Sequence, residues 1–241
     1  STVTTPSEDA VLNSTAALAG TGVDTVPGAA ALVEVSLSSG PWYSTYWNGS
    51  AFGATTEYFN AATSTGSWTY ATPALVTNTA YKVRSRARDR ATNLETPAAT
   101  RTFTYDTTLP VSSITWPASG VNINTLPTVS GTALDLIGAD LVELQISSGP
   151  GYSTQWNGTA WVSTGAYTGV TAGTATWTWN RPSPAFWQDF VAYSVTARAR
   201  DRAGNLSAPV INTFNFDASP GTATISAPVH LTYRNALATI S

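Results

Sequence analysis

The sequence predicts an all-β protein built from two seven-stranded β-sandwiches in tandem, with the opening of a third repeat behind them. Three observations point there. One stretch occurs twice, as YKVRSRARDRATNL from Tyr81 to Leu94 and as YSVTARARDRAGNL from Tyr193 to Leu206. In both copies apolar and polar residues alternate, the pattern of a strand with one buried face, and then break into a turn. Pro6, Pro117 and Pro228 close the matching segments VTTP, ITWP and ISAP at a constant spacing of 111 residues, so a repeat runs through the whole chain. Short strand-like runs alternate with Gly, Pro, Asn and Asp turn signals throughout, and no segment keeps a helical period.

The period divides the chain into residues 1–111, residues 112–222 and a remainder, 223–241, that matches only the start of a repeat. Within each repeat a first strand leads into Pro6 or Pro117 and a second lies near Leu18 or Val129. A third alternates clearly, with Val33, Val35 and Leu37 inward around Glu34, and Val142, Leu144 and Ile146 inward around Glu143. Trp47-Asn48-Gly49 and Trp156-Asn157-Gly158 follow, where Asn-Gly favours a type I′ hairpin. The next strand carries Trp68 and Tyr70, or Trp177 and Trp179. The arginine strand comes after it, with Tyr81, Val83 and Ala87 facing the core and Lys82, Arg84, Arg86 and Arg88 facing out. Phe103 and Tyr105, or Phe214 and Phe216, lie on the last strand. The short third piece is the expected mark of a segment from a longer array, and its unpaired edges make end-to-end pairing with another chain physically available.

Composition narrows the function. The 42% hydrophobic content supports two cores, and no run approaches the roughly 20 apolar residues of a membrane-spanning helix. Charged residues are only 10%, the net charge is -3 and Lys82 is the one lysine, so no basic field is available to hold nucleic acid. With no cysteine there is neither a disulfide nor a thiolate metal site, and the Thr, Ser, Ala and Gly richness leans toward an extracellular or cell-surface setting. Catalysis is not expected. His230 is the single histidine and falls in the third piece, and the recurring acids look like equipment of the repeat. Asn13, Asn48, Asn157 and Asn205 open N-x-S/T sequons.

Leu75 precedes Tyr81 by six residues and Trp187 precedes Tyr193 by six, in the manner of a tyrosine corner. Gly20 to Asp24 and Gly131 to Asp135 share GTxxD, the arginine strands share RARDRAxN, and the repeats close on Tyr105-Asp106-Thr107-Thr108 and Phe216-Asp217-Ala218-Ser219. With these features the chain resembles the bacterial Ig-like and fibronectin type III-like repeats of large secreted or adhesin-like surface proteins, along essentially its whole length. The resemblance implies tandem Ig-like sandwiches and a structural part in a stalk, spacer or filament, with neighbouring repeats as partners. A carbohydrate-binding module is the alternative. Thr92 stands in the first repeat where Gly204 stands in the second, so the turn there is expected to differ.

Three sets of residues could carry chemistry. The strand bearing Glu34 should lie beside the arginine strand, and likewise for Glu143, so cross-strand ion pairing is the preferred reading over an anion-binding stripe for acidic glycans. Trp42 and Tyr43, in a Ser-Gly-Pro-Trp-Tyr loop, are the best exposed aromatic candidates, and with Arg84 and Arg86 they define the glycan surface of the alternative. Trp116, next to Pro117, is expected to wedge the two sandwiches together. Asp24, Glu34, Asp89 and Asp106 recur as Asp135, Glu143, Asp201 and Asp217. In sandwiches of this topology Asp106, Asp135 and Asp201, with Asn205, converge between the repeats, an oxygen-rich set suited to calcium. The preferred reading is plainer: Asp89 and Asp201 cap their turns while Asn93 and Asn205 supply left-handed geometry.

Overall fold

The computed structural model describes residues 1–24, 30–96, 98–163, 165, 167–171 and 175–226. The expected third piece from residue 227 onward, His230 included, lies outside the described residues. The N-terminal half contains β1 (Thr2–Thr5), β2 (Ala10–Leu12), β3 (Leu18–Thr21), β4 (Ala30–Ser39), β5 (Thr45–Trp47), β6 (Phe52–Ala54), β7 (Asn60–Ala61), β8 (Ser67–Tyr70), β9 (Thr79–Asp89) and β10 (Ala99–Tyr105). The C-terminal half repeats the series as β11 (Val111–Trp116), β12 (Val121–Ile123), β13 (Thr128–Leu134), β14 (Ala139–Ser148), β15 (Thr154–Trp156), β16 (Trp161–Val162), β17 (Thr168–Thr171), β18 (Thr176–Asn180), β19 (Val191–Asp201) and β20 (Val210–Phe216).

Each half is a sandwich of two sheets. The smaller is ordered β1-β3-β8 or β11-β13-β18, and the larger β2-β10-β9-β4-β5-β6 or β12-β20-β19-β14-β15-β16, with β7 and β17 added beside β4 and β14. This is the Ig-like, fibronectin III-like arrangement. The strand segments outnumber the seven expected per repeat for local reasons. The first strand breaks at Pro6 or Pro117, which cannot donate to a ladder. Its second part then crosses to the other sheet and pairs parallel with β10 or β20. Strand pairing ends at Tyr105 and resumes at Val111, which leaves residues 106–110 as the link between the halves.

The cores follow the alternation. Val33, Val35, Leu37, Trp68, Tyr81 and Val83 are buried in the first sandwich, and Val142, Leu144, Ile146, Trp177, Tyr193 and Val195 in the second. The tyrosine corner forms in both: the Tyr81 hydroxyl accepts from the Val76 N–H at 2.8 Å and the Tyr193 hydroxyl from the Gln188 N–H at 2.7 Å. Burial pushes both phenols above their ordinary pKa. The second core is richer in rings, because Trp187 replaces Leu75 and donates its indole N–H to the Leu126 carbonyl at 2.6 Å.

Two turns depart from expectation. The Asn-Gly hairpins are four-residue loops, in which the Asn48 side chain accepts the Ser50 and Ala51 N–H groups and Asn157 repeats the arrangement. Only the glycine has positive φ, 99° at Gly49 and 101° at Gly158, so this is not a type I′ turn. The turn after β9 matches the turn after β19. Thr92 adopts φ 73° where Gly204 has 89°, and the N–H of each bonds to the preceding aspartate's carbonyl at 3.1 Å.

Gly20 and Gly131 are fixed by packing rather than by turn geometry. A Cβ at Gly131 would overlap the Ser113 carbonyl oxygen and the Trp177 indole, as one at Gly20 would overlap Thr2 and Trp68. Gly131→Ala is therefore expected to destabilise the second sandwich by about 1–3 kcal/mol, in the range of overpacked cores, read as a lowered denaturant midpoint. Thr92→Gly should stabilise the first sandwich by about 1 kcal/mol by relieving a β-branched residue in the left-handed region. An unchanged or lower midpoint for Thr92→Gly would contradict that strain.

Candidate metal centre

The turn after β19 is held by a reciprocal clamp. Asn205 donates its backbone N–H to Asp201 Oδ1 at 2.8 Å and its side-chain amide to Oδ2 at 2.7 Å. The same amide donates to the Asp106 carbonyl oxygen at 2.9 Å, so it ties the second sandwich to the first residue of the link, directly after β10. Asp106 has no exposed surface, Asp201 is 1% exposed and Asn205 9%. Capping, expected for Asp201, is therefore observed, and it positions the carboxylate instead of competing with a further role.

One carboxylate oxygen from each of Asp106, Asp135 and Asp201 lies within 4.8 Å of the other two. Three separate elements deliver them: the end of β10, the end of β13 and the end of β19. Backbone donors aim each group. Asp106 Oδ1 accepts the Thr108 N–H at 2.9 Å, with the Thr77 hydroxyl at 3.5 Å, and Asp135 Oδ1 accepts the Ile137 and Gly138 N–H groups at 2.8 and 3.1 Å. The second oxygens of Asp106 and Asp135 are buried and have no hydrogen-bond partner. No ion pair among the described residues reaches any of the three. Three carboxylate oxygens this close together, on residues of which two are buried, form a set that could hold a cation.

The donor set defines which cation fits. All available ligands are oxygens, which selects a hard ion. Oxygens bound to calcium at about 2.3–2.6 Å stand up to roughly 5 Å apart across the ion, a span that accommodates the observed cluster. Thr77, whose hydroxyl reaches Asp106, was not among the residues singled out in the sequence, whereas Thr108 belonged to the closing motif. Thr77 lies four residues before the corner Tyr81, and Asp189 holds the same place before Tyr193. That shared offset is the signal that marks the position.

The other sequence candidates sit elsewhere. Arg86 pairs with Glu34 at 2.8 Å and stacks on the Phe59 ring, Arg84 pairs with Glu57 at 2.6 Å, and Arg198 pairs with Glu143 at 2.6 Å. The arginine row is thus paired along the sheet with its own carboxylates, Arg86 and Arg88 sharing Glu34 and Arg198 and Arg200 sharing Glu143. Tyr43 lies under Lys82, and Trp42 stands 86% exposed in its loop.

Trp116 and Pro117 are not at the junction between the sandwiches. β11 starts at the link and runs away from it, which carries Trp116 to the far end of the second sandwich. There it shares a groove with Ile123, Asn124 and Asp217, while the buried Pro117 accepts a hydrogen bond from Asn212. The proline period locates the end of this strand, whereas the boundary falls at its beginning.

No family model and no curated protein matches this chain. Among solved structures it is similar to the fibronectin(III)-like modules of Clostridium thermocellum CbhA, at 13% identity and a TM-score of 0.43, over 92% of this chain and 97% of that one. A tetra-tandem repeat from the extending region of a large adhesion protein is 20% identical with a TM-score of 0.36, and the match spans 86% of this chain and 48% of that one. The FN1–FN3 domains of chicken CNTN1 are 12% identical with a TM-score of 0.38, over 90% and 64%.

Asn205 carries a further expectation. Asn205→Ala removes the amide that bridges Asp201 and Asp106, and should cost about 1–2 kcal/mol. Amide exchange at Asp106 to Thr108 should quicken with it, and unaltered exchange would mean that the bridge does not hold the junction.

Proposed function

We propose that this chain is a non-catalytic structural segment of a long extracellular bacterial surface protein, a spacer or stalk whose repeats are joined by calcium. The observation that carries the reading is the convergence of Asp106, Asp135 and Asp201 from two sandwiches, with two carboxylate oxygens buried and unpartnered. Such a site has no evident use for chemistry on a substrate. Its ligands are locked by backbone donors, and it lies between two folded units, where a bound cation would fix their mutual orientation.

Repetition supports a mechanical role. The clamp, the paired arginine row and the closing aspartate all occur in both halves. A stack of identical joints requires such duplication. The scarcity of charge and the absence of cysteine accord with a surface protein that relies on packed apolar cores.

The reading is tested by thermal unfolding. At about 1 mM calcium, within the range that extracellular modules use, Tm should rise by several degrees over the chelated protein. A ligand at a hundred times its Kd contributes about 2.7 kcal/mol. Asp106→Asn should abolish most of that increment, because it removes charge from the one ligand that the first sandwich supplies. An unchanged Tm in excess chelator, with protein shown to have carried calcium beforehand, would falsify the calcium joint.

A further inference from the structure

The face of β9 that points away from the core presents four cations, Lys82, Arg84, Arg86 and Arg88, and one of them is left over. Glu57 takes Arg84, and Glu34 takes Arg86 and Arg88. No carboxylate among the described residues pairs with Lys82, the one lysine of the chain. Its ammonium instead stands 5.0 Å from the centre of the Tyr43 ring, a contact that uses none of its three N–H donors.

Tyr43 belongs to the hairpin that joins β4 to β5, and Trp42 lies beside it in that turn. The Tyr43 N–H donates to the Gly40 carbonyl at 3.0 Å, which closes the turn. The second sandwich closes its turn in the same way, from Tyr152 to Gly149 at 3.0 Å, and has Gly151 where Trp42 stands. Tyr43 and Tyr152 also share the left-handed conformation, at φ 53° and 56°. The turn therefore needs no indole. Neither sandwich packs against it, since Trp42 is the most exposed of the large apolar residues described. The fold gains nothing from leaving so large an apolar ring in water.

Trp42 and Lys82 are absent together from the second half. Ser194 pairs with Ser147 there as Lys82 pairs with Ser38, so serine holds the place of the lysine and glycine that of the tryptophan. Two residues that the fold does without thus meet around one tyrosine. They place a flat apolar ring beside an uncommitted positive charge, on open surface rather than in a cavity. Such a platform suits a ligand that lies across it and extends past it. A sugar ring within an acidic polymer matches both parts: the C–H face of a pyranose covers the indole, and its carboxylate reaches the ammonium.

We propose that Trp42, Tyr43 and Lys82 form a contact site for an acidic polysaccharide, with the indole carrying a pyranose ring and the lysine its carboxylate. The site differs from the glycan surface expected from the sequence, because Arg84 and Arg86 are engaged by Glu57 and Glu34. It gives a spacer a foothold on a charged polymer, and it does not depend on the calcium reading.

Isothermal titration of the chain with soluble polygalacturonate, and with the same polymer after methyl esterification, tests the site. Chelator is present throughout, so that no calcium bridges the carboxylates of polymer and protein. Polygalacturonate should bind, and the neutral ester should bind about two- to fivefold more weakly, the share of one exposed charge pair. Trp42→Gly should weaken both about tenfold or more. Lys82→Ser should bring polygalacturonate down to the level of the ester and leave the ester unchanged, whereas Lys82→Arg should keep the difference between them. Trp42→Gly and Lys82→Ser install residues that the second sandwich already carries at these places, so both variants should fold with an unaltered Tm. No binding of polygalacturonate at millimolar galacturonate overturns the site. Binding that survives Trp42→Gly at full strength overturns it too, by placing the contact on another surface. Equal binding of acid and ester by the unmodified chain removes Lys82 from the contact and overturns the preference for an acidic polymer.

Discussion

The alternation of side chains along β9 and β19 is the constraint on which the rest of the structure depends. On one face Tyr193, Val195, Ala197 and Ala199 build the core, and on the other Arg198 and Arg200 meet Glu143 of the neighbouring β14. The strand then ends in the Asp201 clamp. A slip of one residue in pairing would expose the whole inward set and break the ion pairs together. The two requirements act on the same register, since Glu143 stands directly opposite Arg198. The strand therefore specifies in one stroke which face is buried, how the sheet is paired and where its terminal aspartate emerges.

Much of this was legible in the sequence because period-two patterns report burial directly. Val33, Val35 and Leu37 were readable as inward, and Trp68 and Trp177 as core, and they are. The convergence of Asp106, Asp135 and Asp201 was readable too, once repeat spacing was combined with sandwich topology. Trp116 was misplaced for a definable reason: a proline that recurs at a fixed interval marks a period but not its phase. The turns were the weakest point. Asn-Gly describes the conformational freedom of two residues, whereas the loop length was set by the Trp47–Phe52 pairing across it. The left-handed residue of the turn that the Asp89–Asn93 hydrogen bonds close is Thr92, as it is Gly204 in the second half, and not Asn93 or Asn205 as expected.

The two halves are alike without being interchangeable. The first uses Thr77 to hold the turn after its closing aspartate, through the Thr107 N–H, and the second uses Asp189, which accepts the Ala218 N–H and the Ser219 hydroxyl. The first core places Leu75 where the second places Trp187 within a cluster of rings. The cores thus differ between the halves, while the clamp and the closing aspartate recur in both. Divergent cores also reduce mispairing between neighbours while they fold, which is the characteristic hazard of tandem arrays.

The placement of Asp106 has a mechanical corollary. It is the first residue of the link, so an ion held by it anchors the second sandwich to the end of β10 itself, ahead of residues 107–110. With an ion bound there as proposed, tension along the chain would pass from β10 through the ion to the ends of β13 and β19, in parallel with residues 107–110. The covalent link would then act as slack, a tether that comes taut once the ionic coupling has parted and that keeps the two bodies close enough to couple again.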